Sequence, residues 1–272
     1  MHVRAALAVF LISSVALAAT GAIAADNSET VSPAISQAIN NAVDSPDRPA
    51  ADKALDAGRH PAQLLSFFGI APGMKVADLW AGGGYTAELL AGVVGPTGKV
   101  YSQNGPFTPA FKKAEDAWKA RAREPGMSNV VELQKSFADP DNILPVPPES
   151  LDAVIIDMNY HDMVARGYDR TRINAAVFRA LRPRGVYGVI DNSAAPGSGA
   201  RDANTLHRID EAFETNEITK AGFKLVATSA VLRNPKDDRT WFVMKHRGEQ
   251  DRFVLKFVKP PGAGGIGAGL PH

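Results

Sequence analysis

The chain has 272 residues, 45% of them hydrophobic and 22% charged, a composition that supports one large globular domain with a substantial apolar core. A formal net charge of +1 excludes the basic excess of a nucleic-acid surface and gives no support for binding to an acidic membrane. There is no cysteine, so disulfides, thiolate zinc sites, thiol nucleophiles and cysteine-linked lipid anchors are all ruled out.

Residues 1–24 read as a signal peptide. Met1–Arg4 is a short positive segment, Ala5–Ala19 is apolar, and Ala22-Ile23-Ala24 is a small-residue cleavage site. The apolar run is shorter than the ~20 residues of a membrane span. The expectation is an exported, periplasmic protein that begins at Ala25 after cleavage, with no membrane span in the mature chain. Residues 25–51 read as an N-terminal arm with a short helix around Ala34–Val43.

The main domain is expected over residues 52–259. Lys75–Leu79 is a short apolar strand after the turn signal Pro72-Gly73, and Tyr85–Val94 is a helix stopped by Gly95-Pro96. Lys99–Ser102 is a second strand, Phe111–Arg123 a helix, and Val130–Gln134 a third strand. Leu151–Ile156 is a fully apolar fourth strand. In Arg170–Leu181, residues Ile173, Val177, Ala180 and Leu181 share a helix face. Val186–Ile190 is a fifth strand, Leu206–Lys220 a helix, and Phe223–Ser229 and Phe253–Val258 are the last strands. Residues 260–272 form a Gly/Pro-rich tail expected to be disordered.

Strands separated by helix-length segments imply βαβ units. The expected fold is α/β and Rossmann-like: a doubly wound, mostly parallel seven-stranded sheet, helices on both faces, and an antiparallel last strand. Such sheets bind ligands at the carboxyl ends of their strands, near the point where strand order reverses. The segment at that point is Val76-Ala77-Asp78-Leu79-Trp80-Ala81-Gly82-Gly83-Gly84-Tyr85-Thr86, which runs strand, glycine turn, helix. A dinucleotide site would carry a third glycine where Ala87 stands.

Asp78-Leu79-Trp80-Ala81-Gly82-Gly83-Gly84 resembles motif I of the class I S-adenosylmethionine (SAM)-dependent methyltransferases. From about Arg48 to Lys259 the chain is similar to a group of exported bacterial methyltransferases of undefined substrate. Arg59-His60-Pro61, Tyr160-His161-Asp162, His207-Arg208-Ile209-Asp210, Leu232-Arg233-Asn234-Pro235 and Asp251-Arg252-Phe253 carry that likeness. The resemblance implies SAM as cofactor and a small-molecule acceptor as substrate. Asp78 would face the cofactor's amino group, with Gly82, Gly83, Gly84 and Asp157 around it. Trp80 replaces the first glycine of the family motif. Gln103 stands where an acid for the ribose hydroxyls is expected, and Asp139 stands near the adenine position.

The ends of the fourth and fifth strands supply the catalytic candidates. His161 is the first choice of general base, since an imidazole titrates near neutrality at about 6.5. His207, with Asp210 one helical turn on, is the second. Tyr160 packs over the ligand or holds substrate, and Arg233 and Trp241 close the site from the long last connection. An Asp after strand four with Asp-Asn after strand five is similar to the metal site of cation-dependent O-methyltransferases. A divalent cation on Asp157, Asp191 and Asn192 is therefore a second reading, which the wider resemblance does not require. The rival to methyl transfer is an exported binding protein that uses this fold for another ligand.

Overall fold

The computed structural model describes residues 32–262. The segments 1–24 and 263–272, on which the leader and most of the tail fall, lie outside the described residues. Three helices come first: α1 (Pro33–Asp44), α2 (Ala50–Arg59) and α3 (Pro61–Phe68). The Ser32 hydroxyl accepts from the Ile35 N–H at the start of α1. Pro61 opens α3, and Gly69, with φ of 75°, closes it by donating its N–H to Leu65 and Ser66.

The alternation follows as β1 (Lys75–Leu79), α4 (Tyr85–Val94), β2 (Lys99–Asn104), α5 (Lys112–Arg121), β3 (Val130–Gln134), β4 (Leu151–Asp157), α6 (Tyr160–Ala165), α7 (Arg170–Ala180), β5 (Leu181–Asn192), α8 (Glu211–Lys220), β6 (Lys224–Ser229) and β7 (Arg252–Val258). The seven strands form one sheet in the order β3-β2-β1-β4-β5-β7-β6. All neighbours on the β3 to β5 side are parallel, and β7 lies antiparallel between β5 and β6. Strand order reverses between β1 and β4, which places the ligand crevice at their carboxyl ends. Among the described residues no helix is long and apolar enough to cross a membrane.

Alternation along the central strands divides the core in two. Ala77, Leu79, Val154, Ile156 and Val189 pack with Ile173, Ala176 and Val177 of α7 and Ile218 of α8. Val76, Ala153, Ile155 and Ile190 pack with Leu65 and Phe68 of α3 and Leu90 and Val94 of α4. Ile39 and Ala42 of α1 are buried in that second cluster. A Cβ on Gly92 would stand 2.8 Å from the Ala42 Cβ, so α1 lies close along α4.

Three segments depart most from the expected boundaries. β5, expected over 186–190, runs from Leu181 to Asn192 and takes Leu181 from the preceding helix. β2 runs two residues past Ser102, because Gln103 pairs in register with Leu79 and Asn104 with Gln134. The helix expected over 206–220 begins only at Glu211. Ahead of it Ile209 bridges to Ser193 beside the end of β5, and Asp210 caps the helix by accepting from the Ala212 N–H at 2.8 Å.

Candidate active site

β1 delivers Asp78 and Leu79 to the sheet edge and the chain then turns on residues 80–84. Trp80 adopts φ of 57° and Gly84 φ of 86°. A Cβ on Gly84 would approach the Trp118 ring to 2.8 Å, so both the left-handed backbone and the space demand glycine there. Arg121 clamps the turn from α5. Its Nε donates to the Gly83 carbonyl at 2.8 Å, and its other nitrogens pair with Glu88 and with Asp52.

Asp78 is 1% exposed, yet its Oδ2 has no hydrogen-bond partner and it lines a cavity of about 330 Å³. Burial pushes its carboxyl well above the usual range and the nearby Asp157 adds to this, against a backbone bond from Ala87. Such a group is set for a cation: an ammonium brought to Oδ2 satisfies the orphaned oxygen and restores the ionised form. Gly82, Gly83, Thr86, Asp157 and Arg59 line the same cavity. The Thr86 hydroxyl donates to Asp157 at 3.3 Å, and the Arg59 guanidinium lies 4.3 Å from the Tyr85 ring centre. Arg59, on α2, was not anticipated as a wall of this cavity; a basic residue just before a Pro-initiated helix carries no such signal by itself.

A second cavity of about 290 Å³ adjoins, with Trp80, Gly82 and Phe111 lining both. Its wall is aromatic: Phe107, Phe137 and Tyr168 contribute, with Phe137 stacked 4.9 Å from Trp80 and 5.9 Å from Tyr168. The Arg166 guanidinium sits 5.4 Å from the Trp80 ring. Trp80 therefore builds part of a stacking surface in place of the family glycine.

Two expected ligand contacts are redirected. Gln103 is fully buried and lines neither cavity. Its Oε1 accepts from the Trp80 N–H at 3.0 Å and its Nε2 donates to the Lys135 carbonyl at 2.6 Å, so both ends of the amide are committed within the sheet. Asn104, one residue further on, lines the second cavity and accepts from the Gly82 N–H at 2.8 Å. Asp139 is exposed, lines neither cavity, and accepts from the Asn142 side chain at 2.8 Å at the start of a short turn.

The histidines come together beyond the end of β5. Asp191, fully buried, accepts the His161 backbone N–H at 2.8 Å and the His161 Nδ1–H at 2.6 Å. The other ring nitrogen of His161 faces His207 Nδ1 at 3.2 Å. Asp162 lies 3.7 Å from His161 Nε2 and 3.6 Å from His207 Nδ1. Burial pulls the His161 pKa down, but Asp191 and Asp162 outweigh it and the net shift is upward. For His207 burial dominates and, with His161 and Arg166, lowers the pKa against Asp162 and Asp191. The pair lines neither cavity but adjoins the first one: Asn159 is part of that wall and donates to Asp162 at 3.2 Å.

Four further expectations are corrected here. Asp210 does not serve His207; it caps α8 and accepts from the Gly197 N–H at 2.6 Å. Tyr160 is fully buried, donates to Glu217 at 3.0 Å and accepts from Asn174 at 2.9 Å, so its hydroxyl fastens α6 to α7 and α8 and meets no ligand. Arg233 pairs with Glu211 and Asp251, and Trp241 lies against Arg208, 4.3 Å from its guanidinium. Both hold the last connection in place. Asp157, Asp191 and Asn192 do not form a ligand set, because both Asp191 oxygens are taken by His161 and the Asn192 amide donates to the His207 carbonyl at 3.1 Å.

No family model matches the chain. The chain is similar to an arsenite methyltransferase of Halobacterium salinarum, 28% identical over 189 residues, which covers 68% of this chain and 45% of that protein. The chain thus spans less than half the length of that curated relative. Among solved structures it resembles a SAM-dependent methyltransferase from Aquifex aeolicus, with a TM-score of 0.55 at 19% identity over 78% of this chain and 98% of that one. An arsenic(III) SAM methyltransferase from Chlamydomonas reinhardtii gives 0.52 at 20% identity over 83% and 74% of the two chains. The [4+2]-cyclase SpnF gives 0.53 at 18% identity over 78% and 81%. These likenesses show a Rossmann-like methyltransferase fold.

Proposed function

We propose that the protein transfers a methyl group from SAM to a small acceptor that carries an ionisable O–H or N–H group. The fold by itself does not carry this, since a cyclase shares it. The observation that does is Asp78: a buried carboxyl with an orphaned oxygen, on a residue that lines a cavity behind a glycine turn at the strand-order reversal. SAM offers it an ammonium and offers Arg59 a carboxylate, while the aromatic cavity around Trp80 and Phe137 suits the purine. Bound there, SAM supplies an electrophilic methyl group. The chain's own part is to position the acceptor and to remove its proton. The half-buried His207 edge, backed by His161 and Asp191, is the proton acceptor nearest the first cavity's Asn159 wall.

Arsenic(III) is soft and takes thiolate ligands. No thiolate of this chain can hold it, since there is no cysteine, and the acceptor proposed is an oxygen or nitrogen nucleophile. The leader-like residues 1–24 support export, with the mature chain beginning at Ala25; N-terminal sequencing of protein purified from the periplasm tests it.

The test of the main reading is calorimetric titration with SAM and with S-adenosylhomocysteine, with NAD as control. Binding of both, lost in Asp78→Ala and absent for NAD, is expected. Folded protein that binds neither at millimolar ligand overturns the proposal. A labelled-methyl acceptor screen follows from binding.

A further inference from the structure

We propose that His161, Asp162 and His207 form a binding site for one divalent cation of the zinc class. Among the described residues this is the group of His, Asp and Glu side chains whose ligand atoms all lie within 4.8 Å of one another. It goes beyond methyl transfer, because cation binding here stands or falls without SAM.

The geometry starts from Asp191. One of its oxygens takes the His161 backbone N–H and the other takes the ring Nδ1–H, at 2.8 and 2.6 Å. With Nδ1–H given to Asp191, Nε2 is the acceptor of the proton on His207 Nδ1, a proton that a bound cation would displace. A carboxylate holding the far nitrogen of an imidazole is the arrangement that orients metal-bound histidines. The two ring nitrogens, His161 Nε2 and His207 Nδ1, lie 3.2 Å apart. His207 is held in place by φ of 55° and by the Asn192 amide on its carbonyl.

The carboxylate of Asp162 completes the triangle. Its Oδ2 stands 3.7 Å from His161 Nε2 and its Oδ1 3.6 Å from His207 Nδ1, distances too long for hydrogen bonds. They are, however, near the right lengths for the edges of a coordination polyhedron. With metal–nitrogen and metal–oxygen bonds of ~2.0–2.2 Å at tetrahedral angles, ligand atoms lie roughly 3.3–3.6 Å apart. Asp162 and Asp191 place two carboxylates at the site, and once the metal takes the place of a ring proton on His161, Arg166 is the cation left facing them, so a dication meets a favourable field.

The ligand chemistry selects the ion. Two imidazole nitrogens and one carboxylate suit Zn²⁺, Co²⁺ or Ni²⁺, whereas Mg²⁺ and Ca²⁺ require oxygen ligands. Three protein ligands leave a coordination position free, as in catalytic rather than structural zinc sites. An ion there would lower the pKa of a coordinated acceptor hydroxyl, so the imidazole pair would act through it instead of as a free base.

Untagged, chelator-treated protein is titrated with Zn²⁺ and with Mg²⁺ by calorimetry, and with Co²⁺ by visible absorption. Expected are one equivalent of Zn²⁺, visible ligand-field bands with Co²⁺, and no Mg²⁺ binding. His207→Gln and Asp162→Asn should each weaken Zn²⁺ binding by at least tenfold and change or abolish the Co²⁺ bands, with circular dichroism confirming that they fold. Absence of stoichiometric Zn²⁺ and Co²⁺ binding by the wild type overturns the proposal, as does binding unchanged in both variants. A SAM titration on the same sample separates the two readings: Zn²⁺ bound without SAM leaves this site standing and removes methyl transfer.

Discussion

Replacement of Asp78 by Asn removes the ionisable carboxyl and changes almost no volume, and two effects of opposite sign follow. In the ligand-free protein Asp78 is 1% exposed with Oδ2 unpartnered. A buried unsatisfied polar group costs about 1–3 kcal/mol, and more when charged. Burial first, then Asp157, holds the folded-state pKa above 3.8. The folded protein therefore keeps this proton to higher pH than the unfolded chain does. The resulting stability is fully present below the unfolded pKa and is lost as pH rises through the folded one. At neutral pH the wild type carries that cost, and the neutral amide of Asp78→Asn carries less of it. The ligand-free variant should melt a few degrees higher, at about 2–4 °C per kcal/mol for a chain of this size. SAM binding should move the other way. A hydrogen bond to a charged group contributes about 1.5–3 kcal/mol. At 1.4 kcal/mol per decade, affinity should fall by about 10- to 150-fold. Scanning calorimetry of the ligand-free proteins and titration calorimetry with SAM read the two effects. A melting midpoint that falls, or an affinity within threefold of the wild type, would refute the assignment of Asp78 as an unsatisfied ligand-facing carboxylate.

Three other outcomes are expected. Gly84→Ala puts a Cβ 2.8 Å from the Trp118 ring at φ of 86°, and should cost about 2 kcal/mol or more in urea denaturation; a wild-type midpoint would show that the turn does not need glycine. Gln103→Leu strands the Trp80 N–H and the Lys135 carbonyl and should cost roughly 2–4 kcal/mol in the same assay, whereas weakened SAM binding at unchanged stability would return Gln103 to the ligand. Glu214 is fully buried with neither oxygen partnered, and burial, Asp191, Glu217 and Glu211 all raise its pKa. Wild-type stability should thus decline as pH rises through that raised pKa, and the decline should be shallower in Glu214→Gln; identical pH profiles of the melting temperature would exclude this.

The sequence by itself determined the fold class and the glycine turn, because both are local. Hydrophobic runs of strand length alternating with helix-length segments specify a parallel sheet, and Asp78 followed by three glycines before a helix specifies the turn at its edge. Contacts distant in sequence were decided only in the folded chain. Gln103 left the ligand because two more residues of β2 paired with β1 and β3, which drew its amide between Trp80 and Lys135. His161 and Asp191 are 30 residues apart, and His161 and His207 are 46 apart; neither spacing has a periodicity that announces contact. They meet because β4 and β5 are neighbours in the sheet and the segment before α8 is pulled back against the end of β5 by Ile209 and the buried Arg208–Asp237 pair. Tyr160, which in sequence shares a tripeptide with His161 and Asp162, turns the other way into the core, since one helical step is enough to separate a site residue from a packing residue.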